Sequence, residues 1–209
     1  VLSAGEMQSP VTAAPIELSV LPPEHVRVKD DVTGAELLFI TSDPAADLNL
    51  YFHERSWLSD ESMLLFTSNR EHGGLMGYIT ATGELVRLAT PEGNLTAATA
   101  DVKRPVFYAL RGREVIEASP QITLSTSPDV RSKVLLSVRV IAQVPERPAT
   151  SLNGNCDGSR LALGIVGPGE NPDAAIYTID VNSGEVNEVC RIPNPPGFGG
   201  HVQWSHDNP

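Results

Sequence analysis

The sequence predicts an all-β fold, a β-propeller, on three observations. Residues 57–90 read as a meander of three strands with glycine-containing turns between them. The same pattern of turns and strands returns along the chain, once in degenerate form. A turn followed by an outer-strand pattern also stands ahead of the first full unit, at 31–41.

In the first unit, 63–68 is a short apolar run ending in Thr and Ser. Asn69-Arg70-Glu71-His72-Gly73-Gly74 follows, polar and glycine-rich as a hairpin requires. The next strands are 75–80 and 85–88. Gly83, between them, can take the positive φ that a tight turn demands. Ser59-Asp60-Glu61-Ser62 opens the unit with side chains that can bond their own backbone. A lone antiparallel sheet of this size cannot bury both faces, so the meander is one blade of something larger. The degenerate copy opens at Ala100-Asp101, has strands at 105–110 and 114–118, and turns at Arg111-Gly112-Arg113. A further copy opens at Cys156-Asp157-Gly158-Ser159, with strands at 161–166, 176–181 and 186–192. Another begins at His201-Val202-Gln203-Trp204-Ser205-His206-Asp207. Asp60, Asp101, Asp157 and Asp207 are spaced 41, 56 and 50 residues apart, a period that points to propeller blades.

The expected organisation is an extended, proline-containing arm at 1–23 and a partial propeller at 24–209. Within the propeller, 31–41 is a closing strand, the blades are about 49–91, 95–143 and 144–194, and 197–209 starts the next blade. Three four-stranded blades fall short of the roughly four to eight a ring needs. The sequence is therefore expected to be the N-terminal half of a longer chain. The partner of this half would be the remainder of the propeller, from the same chain or another.

Composition narrows the function. The 209 residues carry a net charge of −11, which argues against nucleic acid and anionic membranes as partners. An acidic ligand would need local arginines to overcome that field. No run of about 20 apolar residues is present, so no membrane-spanning helix is expected. Val1-Leu2-Ser3-Ala4-Gly5 shows no signal peptide. A cytoplasmic location is expected, with a secreted or periplasmic one left open. Cys156 and Cys190 have no metal-ligand spacing and are expected to be free thiols. The Gly-x-x-Gly-Pro-Gly run at 164–169 precedes no helix pattern, so it is not a phosphate loop.

Residues 31–41, Asn49-Leu50-Tyr51-Phe52-His53 and residues 59–70 resemble the opening of the oligogalacturonate lyases. These are seven-bladed propellers related to the TolB-type repeat. Residues 108–115 resemble their second blade, and Gly200-His201-Val202-Gln203-Trp204-Ser205 resembles the segment that opens their fourth. The resemblance implies β-elimination on short, pectin-derived uronic-acid oligosaccharides. A base takes the proton α to a carboxylate, and cations stabilise the enolate-like charge. It implies His201 as that base. It also implies a divalent metal, manganese, whose ligands are expected beyond Pro209. The strand where the family carries its catalytic arginine reads Asp173-Ala174-Ala175-Ile176-Tyr177 here, leaving Arg160 or Arg191 as substitutes.

Three further candidates for the substrate are His53, Arg70 and Arg160. His53 and Arg55 precede the first inner strand, and Arg70 sits in a turn that could hold a carboxylate bidentately. Arg111 and Arg113 flank a glycine in a hairpin and read as surface. His206 reads as a turn residue, and Trp57 and Trp204 as inter-blade core. The second functional reading is a non-catalytic TolB-like propeller that binds a protein or glycan.

Overall fold

A computed structural model describes residues 14–71, 73–127, 129–146, 148, 150–167, 173–193 and 202–205. Among these there is no helix; the regular structure is antiparallel β-sheet. Strands β1 (Ile16–Glu17) and β2 (Val20–Leu21) lie on the arm. β3 (Val26–Lys29) and β4 (Glu36–Phe39) pair only with each other among the described residues. The hairpin exposes Val26, Val28, Leu37, Leu38 and Phe39.

The first blade contains β5 (Asp47–Asn49), β6 (Met63–Ser68), β7 (Gly74–Ile79) and β8 (Leu85–Thr90), with β9 (Gly93–Asn94) paired to β8. The second contains β10 (Thr96–Ala100), β11 (Phe107–Arg111), β12 (Glu114–Thr123) and β13 (Lys133–Gln143). The third contains β14 (Asn153–Gly154), β15 (Arg160–Val166), β16 (Ala174–Asp180) and β17 (Val186–Ile192). In each, sequence order is spatial order, as in a propeller blade.

The repeated aspartates explain why the turns recur. Asp60 accepts the Ser62 N–H at 3.1 Å, Asp101 those of Lys103 and Arg104 at 2.7 and 2.9 Å, and Asp157 that of Ser159 at 2.8 Å. A carboxylate placed two residues ahead satisfies backbone donors that the bend would otherwise strand. A hydroxyl-Gly-Glu turn repeats too, as Thr82-Gly83-Glu84 and Ser183-Gly184-Glu185, with Gly83 at φ 76° and Gly184 at φ 74°, where a β-carbon is disfavoured.

Apolar side chains fill the spaces between blades. One core joins the first and second blades through Met63, Leu65, Leu75, Phe107, Ile116 and Leu136. Another joins the second and third through Tyr108, Leu152, Leu161, Leu163, Tyr177 and Ile179. Each sheet thus buries a face that it could not bury alone.

The described part of the arm is stitched into two sheets. Ile16 pairs with Leu136 on the outer edge of the second blade, and the Leu18 N–H reaches the Val134 carbonyl at 2.9 Å. Val20 then pairs with Val86 on the outer edge of the first blade. Leu18 is buried between them. The arm covers two edges that would otherwise offer unpaired backbone.

Trp57, expected in the inter-blade core, is instead 50% exposed, and its bridge to Leu64 continues the inner edge of the first blade. Cys156 and Cys190 are both free. Of the segment expected to open the next blade, 202–205 is described, and the Trp204 N–H donates to Asn153 at 2.9 Å.

Candidate functional site

The innermost strand of the first blade is interrupted. Asp47–Asn49 pairs with β6, the chain then leaves the sheet, and 56–58 rejoins it. The Leu65 N–H donates to the Ser56 carbonyl at 2.7 Å, and the Leu58 N–H to that of Met63 at 3.1 Å. The excursion carries Tyr51, Phe52, His53 and Glu54. Next to it, β10 shifts register between Thr96 and Thr99, where Ala97 sits at φ 52°. Such irregularities re-aim side chains and gather beside binding sites.

Both irregularities open into one cleft of about 1230 Å³. Segments at the inner strands of all three blades line it: Tyr51 to Glu54, then Asn94, Thr96 and Ala97, and Thr150 with Ser151. Val202 also lines it. Gly112 and Arg113 join from the β11–β12 hairpin. The cleft is thus the mouth at one end of the blades.

Three rings pack against one another on its wall. The centroids of Tyr51 and Phe52 are 4.4 Å apart, and those of Phe52 and His53 are 3.9 Å apart. Phe52 is 73% and Tyr51 41% exposed. The loop that presents them is tied down. Glu54 accepts the Tyr51 N–H at 2.8 Å, and the Glu54 N–H reaches the Tyr51 carbonyl at 2.7 Å. Asn153 donates to the His53 carbonyl at 2.9 Å, and Arg55 donates to that of Gly154 at 3.2 Å, linking the loop to the third blade. Burial pushes the Glu54 carboxyl above its usual range, against the hydrogen bonds from Ser151 and Tyr51.

The structure separates the residues singled out by sequence. His53 lies in the cleft. Arg70 is engaged elsewhere: it donates to Glu24 at 2.6 and 2.9 Å and to Asp47 at 2.6 Å, all three side chains being largely buried. Arg160 begins β15 and pairs in register with Asp180. Pro148, which precedes β14 and lines the cleft, bridges Ile165 near the other end of that strand. Arg160 is therefore at the far end of the blade. Arg191 pairs with Glu188 at 2.7 Å. His201 and His206 lie outside the described residues. Among the described residues no group of three or more His, Cys, Asp or Glu side chains could hold a metal ion.

Sequence reasoning passed over two side chains that the structure brings into the mouth, Glu54 and Arg113. The signal available for Arg113 was positional: the β11–β12 hairpin is at the same blade end as the interrupted strand. For Glu54 it was the polar His-Glu-Arg-Ser run at 53–56, which breaks the strand pattern.

No protein-family model matches the sequence, and no curated protein does. Solved structures do. The chain is similar to an oligogalacturonate lyase from Vibrio parahaemolyticus, with 15% identity over 83% of this chain and 48% of that one, at a TM-score of 0.60. It is similar to an oligogalacturonate lyase in complex with manganese, with 16% identity over 85% of this chain and 49% of that one, at a TM-score of 0.63. A TolB-like protein from Agrobacterium tumefaciens matches with 13% identity over 81% of this chain and 61% of that one, at a TM-score of 0.50. The chain spans about half the length of the two lyases, and with both it shares the β-propeller fold.

Proposed function

We propose that the cleft receives short uronic-acid oligosaccharides and that the whole protein cleaves them by β-elimination, with His201 as base. The observation that carries this reading is the mouth itself. It has an exposed aromatic wall of Tyr51 and Phe52, polar groups from Asn94, Thr150 and Ser151, and an arginine, Arg113. Sugar rings offer apolar faces to aromatic rings and hydroxyls to such polar groups. The likeness of fold to two oligogalacturonate lyases supports the reaction class. Val202 supports the choice of base, because it lines the cleft and is one peptide bond from His201.

In the reaction a neutral imidazole removes the proton α to the uronate carboxylate. Negative charge develops on that carboxylate, the glycosidic oxygen leaves from the adjacent carbon, and a carbon–carbon double bond forms. A cation beside the carboxylate stabilises the developing charge. The described residues offer no ligand set for manganese, and no step here is routed through it.

Incubating the intact protein and its His201→Ala variant with digalacturonate and manganese tests the reading. Wild type is expected to accumulate unsaturated product, read by its ultraviolet absorbance, and the variant to lose that activity. A folded wild type that forms no product overturns it. A non-catalytic, glycan-binding propeller is the second reading. It is favoured by Arg70, whose guanidinium is already held by two carboxylates. Binding without product would establish it.

A further inference from the structure

Most described arginines of this acidic chain are held by carboxylates. Arg70, Arg87, Arg104, Arg111, Arg131, Arg139 and Arg191 each have a carboxylate within 4.0 Å. Arg27, Arg55, Arg113 and Arg160 have none among the described residues, and of these four only Arg113 lines the cleft. Its guanidinium donates to the Pro145 carbonyl at 2.6 Å, and its own carbonyl accepts the Val144 N–H at 2.9 Å. The first bond holds the side chain, while a guanidinium carries five N–H donors in a fixed fork. Gly112, at φ 62° in the first central position of a two-residue hairpin, sets the turn that presents it.

Arg113 and Glu54 are the charged side chains of opposite sign on the cleft wall. Glu54 is occupied by the Tyr51 N–H and the Ser151 hydroxyl, and burial favours its neutral form. The mouth therefore has a local positive group inside a protein of net charge −11.

We propose that Arg113 is the specificity-determining residue of the cleft, reading the carboxylate of an acidic saccharide whose ring stacks on Phe52 and Tyr51. The inference rests on the reading of the cleft as a saccharide site and names the group that selects acid over neutral sugar. The planar fork matches a carboxylate bidentately. The aromatic rings supply the contact that a neutral sugar would share.

The test is calorimetric titration of the intact protein with digalacturonate and with its methyl ester, for wild type, Arg113→Ala, Arg113→Lys and Phe52→Ala. Circular dichroism checks that each variant is folded. Wild type is expected to bind the acid more tightly than the ester. Arg113→Ala should weaken acid binding by roughly 10- to 100-fold, the range of a charge-assisted hydrogen bond. It should leave the ester unchanged, and Arg113→Lys should restore part of the loss. Phe52→Ala should weaken both ligands alike. Unchanged acid binding in Arg113→Ala overturns the inference, as does equal binding of acid and ester by wild type. Product formation that survives Arg113→Ala with unaltered affinity defeats the inference and leaves the lyase reading standing. Arg113-dependent binding without product does the reverse.

Discussion

Two arginines occupy matching places in adjacent blades and do different things. Arg70 is in the β6–β7 hairpin of the first blade, and Arg113 is in the β11–β12 hairpin of the second. Arg70 is clamped between Glu24, from the segment after the arm, and Asp47, at the head of the inner strand. Arg113 touches a backbone carbonyl and looks into the cleft. The lesson is that a charged turn residue is assigned by what the distant chain brings to it. Arg70 is separated from its partners by 46 and 23 residues, so its local sequence says nothing about them.

The comparison makes a strong prediction about stability. Arg70→Ala leaves two largely buried carboxylates facing each other without their cation. A loss of about 3 kcal/mol is expected, at the lower end for breaking a buried pair. Urea unfolding measures it, and a shift under about 0.5 kcal/mol would show that the clamp is solvated and dispensable. Arg113→Ala should leave the same unfolding curve unchanged.

Next in size is the arm that brings Glu24 into reach. Leu18→Ala removes a buried side chain shared by the first two blades and should cost about 2–3 kcal/mol. Hydrogen exchange would locate the effect: protection should fall along β8 and β13, whose edges the arm covers. Fading elsewhere, with those strands intact, would break this part of the account.

A third arginine sharpens the contrast. Arg104 bonds Glu117 at 2.7 Å and the Tyr108 hydroxyl at 2.7 Å, while that hydroxyl donates to buried Asp101 at 2.6 Å. Burial raises the Asp101 carboxyl, but hydrogen bonds from Tyr108, Lys103 and Arg104 outweigh it and bring it below its usual value. A depressed carboxylate contributes stability above its unfolded value of about 3.9 and loses it as pH falls. Tyr108→Phe should therefore cost about 1 kcal/mol at neutral pH and move the acid-unfolding midpoint to higher pH. An unchanged midpoint would mean that the hydroxyl does not support the carboxylate.

The smallest effect concerns Glu54, where the sign is opposite. Its carboxyl is raised by burial, so stability falls as pH rises through the window above the ordinary glutamate value of about 4.3. Glu54→Gln should raise Tm slightly at neutral pH and not at about pH 4. A drop at neutral pH would show that the charged form is the one the loop needs.

The blades were legible in the sequence because their signals are local. Strand 63–68 and strand 186–192 end where their apolar patterns and turns end. The aspartate-led turns encode their own hydrogen bonds within three residues. The arm was legible only as extended, because its pairing with β8 and β13 is set by edges more than 60 residues away. The long strand Lys133–Gln143 has weak alternation and was not separated from its surroundings. Of the candidates, His53 was read from its place before the inner strand, and it lines the cleft. Arg113 was read as surface, because a hairpin arginine reads as solvated until the neighbouring blades put it on the wall of a cleft. Arg70 was overvalued for the converse reason: Glu24 and Asp47 reach it only in the folded chain.

The measurement that bears most directly on the central claim is a crystal structure of the protein with digalacturonate bound. A uronate carboxylate is expected within hydrogen-bonding distance of the Arg113 guanidinium, with a sugar ring against Phe52. A ligand seated away from this cleft, or a carboxylate held by another arginine while Arg113 stays on Pro145 alone, would contradict it.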